Sequence, residues 1–260
     1  MIIELFGPPG AGKTTFAHAL ERRLREKGYV VETAFSNRPG EKAMSSGAIV
    51  SHGRMSSFFR RLMRPEIFTV FRDPGIWKEA SARLMALNPP ASMVWRLRLS
   101  QYLIRLYQFW ASASDAEHVV LFDQGYIQLI CSLILLGSKK ADEEVWEKLL
   151  DAVPRSHLLI SLEAPRDILE QRLRERFRLQ HPIERLLELD LKTNLDSIHV
   201  IARLCEMLRK REREVISISS LDPASLSQGL AIIQQRVDEM SRSHQKADQQ
   251  LALGGAQCLS

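Results

Sequence analysis

Five short apolar runs are spaced along this chain, at residues 1–6, 29–35, 118–123, 157–162 and 214–219. They are rich in Ile, Leu, Val and Phe, and the nearly continuous runs at 118–122 and 157–162 read as buried strands of a parallel sheet. Between the runs the hydrophobic period lengthens to that of a helix. A first helix opens at Lys13 and ends before Gly28, which suits a C-cap. After the break at Asn88-Pro89-Pro90, a long helix carries Trp95, Leu99, Tyr102, Leu103, Leu106, Phe109 and Trp110 along one stripe. That stripe is expected to be core rather than a base-stacking platform. Further helices are predicted around 125–136 and 142–152, from Pro182 to about Lys210, and after Asp222-Pro223. Five strands joined by crossovers far longer than hairpins predict an α/β fold: a doubly wound, five-stranded parallel sheet flanked by helices. One domain is expected over 1–243. From His244 the chain is polar, then Gly- and Ala-containing without periodicity, so 244–260 reads as a disordered tail.

The first junction carries the strongest chemical signal. Gly7-Pro8-Pro9-Gly10-Ala11-Gly12-Lys13-Thr14 follows the first strand and runs directly into the first helix. That order of strand, glycine loop and helix separates a working phosphate loop from a glycine-rich turn with one lysine nearby. The glycines allow a tight turn in which successive N–H groups point inward at a polyphosphate. The helix opening at Lys13 adds its positive dipole end to the same spot. Lys13 is placed to reach the β- and γ-phosphates, Thr14 to ligate Mg²⁺ and Thr15 to contact the α-phosphate. A phosphate-loop NTPase fold is therefore expected, binding a nucleoside triphosphate with Mg²⁺.

Two later features suggest what is done with the triphosphate. Asp123 ends the third apolar run, where it suits either of two tasks: holding Mg²⁺ through water, or accepting a proton from an attacking hydroxyl. The plain alternative is an N-cap for the helix that follows. The segment 166–178 after the fourth strand holds Arg166, Arg172, Arg174, Arg176 and Arg178, and helical spacing puts Arg172 and Arg176 on one face. Such guanidinium groups can close over a transferring phosphoryl as a helical lid, expected at about 163–182. Otherwise the segment is a solvated, ion-paired helix.

Composition changes this picture little. The chain has 260 residues, 45% hydrophobic and 26% charged, enough for one sizeable core. A formal net charge of +5 suits a polyanionic substrate and is not gathered into one tail, so nucleic acid and membrane are not the first expectation. Cys131, Cys205 and Cys258 are too scattered for a disulfide framework or a metal cluster. The apolar run 127–136 is too short to span a bilayer and contains Gln128 and Ser132. With no leader-like segment before the loop, the expected compartment is the cytoplasm. The assembly is left between monomer and homodimer.

In this arrangement the chain resembles the nucleoside and nucleoside-monophosphate kinases, especially the thymidylate-kinase-like branch. The phosphate loop is similar to theirs. Asn37-Arg38-Pro39-Gly40 is similar to that branch's Arg-Glu-Pro-Gly turn, without its acid. Phe122-Asp123-Gln124-Gly125-Tyr126 sits where the family has an Asp-Arg or Glu-Arg pair, with Gln124 in place of the arginine. Leu162-Glu163-Ala164-Pro165 with Arg172 and Arg176 resembles the family's fourth strand and lid. Residues 216–222 look like its fifth strand and the loop beside the adenine. The resemblance implies a kinase moving the γ-phosphoryl of ATP to a small-molecule acceptor, with Lys13, Asp123, Arg172 and Arg176 as the catalytic groups. Arg38, Arg72 or an arginine of the 54–64 run is placed to bind an acceptor phosphate, with a plain surface role as the alternative for each. Two rival functions stay open: a regulatory or assembly NTPase, and a basic protein using its 54–64 and 96–105 arginines on nucleic acid or membrane.

Overall fold

The computed structural model describes residues 1–34, 82–114, 118–180 and 188–257. Its strands are β1 (Ile2–Phe6), β2 (Val31–Ala34), β3 (Val119–Phe122), β4 (Leu158–Glu163) and β5 (Val215–Ser219), all parallel, in the order β2-β3-β1-β4-β5. The helices are α1 (Lys13–Glu26), α2 (Met93–Ser114), α3 (Tyr126–Leu136), α4 (Glu143–Asp151), α5 (Arg166–Leu179), α6 (Leu191–Lys210) and α7 (Pro223–Gln257). The doubly wound five-stranded sheet expected from the apolar runs is present.

Successive residues of a strand point to opposite faces, which sorts the core into two layers. Ile3 and Leu5 of β1 join Leu121, Ile160 and Leu162 against α1, α5 and α7, where Phe16, Leu20, Leu24, Leu169, Leu173, Ile233 and Val237 are buried. Ile2 and Phe6 turn to the other face with Phe122 and Leu159. There they meet Leu103, Leu106 and Trp110 of α2, Ile127 and Ile130 of α3, and Leu204 and Leu208 of α6. The core reading of the α2 stripe therefore holds at Leu99, Leu103, Leu106 and Trp110, the last packed 5.4 Å from the Phe122 ring and 5.3 Å from that of Tyr126. Phe109 is the exception and faces solvent.

Two boundaries differ from the expected ones. The tract foreseen from Pro182 is broken at 188–190, and α6 begins at Leu191, where the Asp190 side chain accepts the Thr193 N–H at 2.9 Å. An aspartate that satisfies an otherwise orphaned amide sets the start of a helix, and residues 181–187 lie outside the described residues. At the other end, α7 continues to Gln257 through much of the stretch read as a tail. Extending a formed helix through Ala, Gln, Leu and Lys costs little, even without an amphipathic pattern. The Asn37–Gly40 turn, Arg38, Arg72 and the 41–75 segment lie outside the described residues. Among the described residues no helix is long and apolar enough to cross a membrane.

The arginine-rich segment after β4 is built into the core at its inner end, because Leu169 and Leu173 of α5 are fully buried. Leu169→Ala is expected to lower the unfolding free energy by about 2–5 kcal/mol, the range for emptying a packed leucine site. Urea denaturation is the check. A loss under about 1 kcal/mol would mean that α5 is a loosely attached flap from its first turn.

Candidate active site

β1 and β3 are neighbours in the sheet, yet α1 leaves β1 on one face and α3 leaves β3 on the other. The loops at their carboxyl ends part there, and in open parallel sheets that is where ligands are bound. The β1 side supplies the glycine loop. Gly7 approaches the backbone of β4 so closely that a Cβ would collide with the Leu162 carbonyl, and its φ of 149° lies where side chains are strained. Lys13 is buried, its ammonium donating to the carbonyls of Gly7 at 2.7 Å and Pro8 at 3.0 Å. Those bonds fold the lysine back over its own loop, at the place where the loop's N–H groups gather. Thr15 is exposed on the first turn of α1.

The β3 side supplies Asp123, which is fully buried. The Thr14 hydroxyl donates to its Oδ2 at 3.1 Å, joining the two halves of the crevice. The N-cap alternative for Asp123 does not fit, since Gly125 caps α3 without any side-chain bond of that helix's own. A hydroxyl and a carboxylate side by side at a phosphate loop form a hard-oxygen pair of the kind Mg²⁺ takes, the remaining ligands being phosphate and water. Among the described residues there is no cluster of three or more His, Cys, Asp or Glu able to hold a metal without such help.

The lid arginines share a face of α5, as their spacing predicts, but they are spoken for differently. Arg172 reaches the loop: its Nη1 donates to the Gly10 carbonyl at 3.3 Å, and its Nη2 to the Ser220 carbonyl at 2.8 Å and the Leu221 carbonyl at 3.2 Å. It ties the glycine loop to the turn after β5. Arg176, one turn outward, pairs with Glu188 at 2.6 Å. Arg174 pairs with Glu170 within the helix, the solvated arrangement.

Two buried side chains of the site were missed by sequence reasoning. Glu4 lies in the middle of β1, on the face of Ile2 and Phe6 by strand parity, and is fully buried. Its Oε2 accepts the Ile127 N–H at 3.3 Å, so the carboxylate comes from β1 to the start of α3. A Cβ on Gly125 would run into it. Gln128 of the same helix accepts the Gly7 N–H at 3.1 Å. An acid inside an otherwise apolar strand was the available signal for Glu4. For Gln128 the signal was a lone amide in an apolar helix.

No protein-family model matches the chain, and no curated protein does. Among solved structures it is similar to a deoxyadenosine kinase from M. mycoides with the products dCMP and a flexible dCDP bound. The two share 14% identity over 92% of this chain and 100% of that one, at a TM-score of 0.51. The same kinase with bound dATP gives 14% identity over the same shares, at a TM-score of 0.49. The likeness is one of fold. The chain thus shares that structure's fold, a five-stranded parallel sheet with flanking helices.

Burial pushes the Glu4 carboxyl up from 4.5 to about 7, opposed by the Ile127 N–H, by Arg213 and by the Ser156 hydroxyl. The folded protein therefore holds a proton that the unfolded chain has released, and the stability contributed by Glu4 falls as pH rises from 4.5 through about 7. In Glu4→Gln that loss is absent. Its stability relative to wild type is expected to rise by on the order of 3 kcal/mol between pH 5 and pH 8, measured by urea denaturation. A pH-independent difference would contradict the raised carboxyl.

Proposed function

We propose that the protein is a kinase that transfers the γ-phosphoryl of ATP to a small acceptor, with a nucleoside as the leading class. The observation that carries this reading is the Thr14 to Asp123 hydrogen bond at the mouth of the lysine-bearing loop, at the sheet's switch point. It supports a division of labour. The loop N–H groups and Lys13 hold the β- and γ-phosphates. Thr14 and Asp123 would hold Mg²⁺, which when bound neutralises charge on the phosphate oxygens. The fold likeness favours a nucleoside acceptor, because the kinase it resembles carries dCMP and dCDP in its structure.

For an alcohol acceptor, Asp123 is also the group that takes the hydroxyl proton, since it stands where the acceptor and donor sides meet. The thymidylate-kinase-like turns suggest a phosphorylated acceptor instead, which needs no base. Gln124 weakens that choice, because it lacks the charge of the arginine usual there. Arg38 and Arg72 remain the proposed acceptor-side arginines. Arg172 is assigned to setting the loop against the turn after β5. Arg176 is assigned to covering the transferring phosphoryl, which requires it to exchange Glu188 for phosphate. That pair is largely shielded, with side chains 27% and 20% exposed, and two oxygens of an incoming phosphate can accept the guanidinium's parallel N–H bonds as the carboxylate does.

The test is an ATP-coupled assay over nucleosides, nucleoside monophosphates, sugars and other small alcohols, with the phosphorylated product identified by mass. One nucleoside class should stand out. Lys13→Ala should cut turnover at least about a hundredfold, and Asp123→Asn should lower kcat far more than ATP affinity. Unchanged turnover in Lys13→Ala would remove the central claim. ATP consumption without any phosphorylated small product would point to a regulatory NTPase.

A further inference from the structure

Glu4 is an expensive residue to keep where it is. A carboxyl on the central strand, in a layer made otherwise of Ile2, Phe6, Phe122 and Leu159, is fully removed from water. Its Oε1 is buried with no hydrogen-bond partner among the described residues. An isosteric apolar side chain would pack against the same neighbours without the desolvation cost. Besides meeting Arg213 and the Ser156 hydroxyl, Glu4 supplies an acceptor for the Ile127 N–H at the start of α3, a helix that has no side-chain cap of its own. On the next residue of that helix, Gln128 reaches across to the Gly7 N–H. Gly7 is buried and pressed against β4, and the carbonyl of that same glycine receives the Lys13 ammonium.

We infer that Glu4 and Gln128 form a two-step positioning relay for the phosphate loop: Glu4 fixes the first turn of α3, and Gln128, carried on that turn, fixes the first peptide of the loop. The relay sets two things together. The Gly7 N–H is engaged by Gln128, which fixes the Phe6–Gly7 peptide, and the Gly7 carbonyl of the following peptide receives Lys13. Because α3 follows directly on Asp123 and Gly125, the same anchor also holds the β3 side of the crevice in register with the β1 side. A residue that lowers stability while ordering a site is a familiar compromise in binding centres. The consequence for donor binding rests on the kinase reading above. The relay itself does not, and it is read from the backbone.

The experiment uses the full chain with four variants: Glu4→Leu, Glu4→Gln, Gln128→Met and Gln128→Glu. Leu and Met keep bulk and remove the acceptor; Gln and Glu keep an acceptor. Amide hydrogen exchange resolved by NMR reads Gly7 directly. In Gln128→Met and in Glu4→Leu, exchange at Gly7 should quicken about tenfold, as for one lost buried hydrogen bond, while Leu5 and Ile160 stay protected. Glu4→Gln and Gln128→Glu should keep Gly7 protected. Thermal midpoints should stay within several degrees of wild type in Gln128→Met and Glu4→Leu, since each leaves a buried N–H without its acceptor. ATP, titrated as the donor, should bind about tenfold more weakly to the two acceptor-less variants. Unchanged exchange at Gly7 in Gln128→Met overturns the relay. Faster exchange in Gln128→Met but not in Glu4→Leu overturns its first step. Should Glu4→Leu fail to fold, Glu4→Met, which also lacks the acceptor, is read in its place: faster exchange at Gly7 sustains the first step and unchanged exchange sinks it. If Gly7 responds as expected but wild type neither binds nor uses ATP, the kinase reading fails and the relay stands.

Discussion

β1 and β3 run side by side with Glu4 opposite Phe122, and the helices that follow them depart to opposite faces of the sheet. A parallel pair cannot be closed by a hairpin, so each strand must end in a loop that turns away over its own face. Where two such loops part, backbone amides and strand-end side chains gather without being covered by a helix. The glycine loop and Asp123 meet at that point because of this pairing, and the Thr14 to Asp123 hydrogen bond is its direct product. A slip of β3 by one residue against β1 would turn Asp123 to the opposite face, away from the glycine loop.

The same pairing explains why polar groups are found so deep in this molecule. Lys13, Asp123, Glu4 and Gln128 are each less than a tenth exposed, and all lie within one crevice or directly beneath it. Three are engaged by backbone, and Asp123 by the Thr14 hydroxyl. Lys13 bonds the Gly7 and Pro8 carbonyls, Gln128 the Gly7 amide, and Glu4 the amide of the helix that carries Gln128. Inside a low-dielectric layer such bonds are directional and hard to exchange for water, which makes them suited to fixing a loop made largely of glycine and proline. Hydrophobic packing alone would hold the strands but not the orientation of individual peptides within the loop.

Local chemistry was legible in the sequence and long-range chemistry was not. The glycine loop could be read because all its parts lie within eight consecutive residues, and Asp123 because an acid closes a buried strand. The Gly7 to Gln128 and Glu4 to Ile127 bonds span more than a hundred residues, and no spacing rule reports them. Gln128 was weighed only as a polar interruption of an apolar run. The arginines of α5 were placed on the correct face by their period, but a period says nothing about the carbonyls of Gly10, Ser220 and Leu221 that Arg172 meets. The break before α6 was likewise invisible in a helical pattern that continues through it, until Asp190 was seen capping Thr193.

The division within α5 bears on how a site of this kind could close. Leu169 and Leu173 are locked in the core, and Arg172 between them spans the loop and the turn after β5. That half of the helix belongs to the frame. Arg176 and Gln180 both hold Glu188, so the outer half is tied to the approach to α6 rather than to the sheet. In the kinase reading proposed above, the covering movement falls to the part beyond Leu173, with Glu188 as the group to be released. In that reading the guanidinium exchanges a planar carboxylate for two oxygens of a tetrahedral phosphate, either of which its parallel N–H donors can hold.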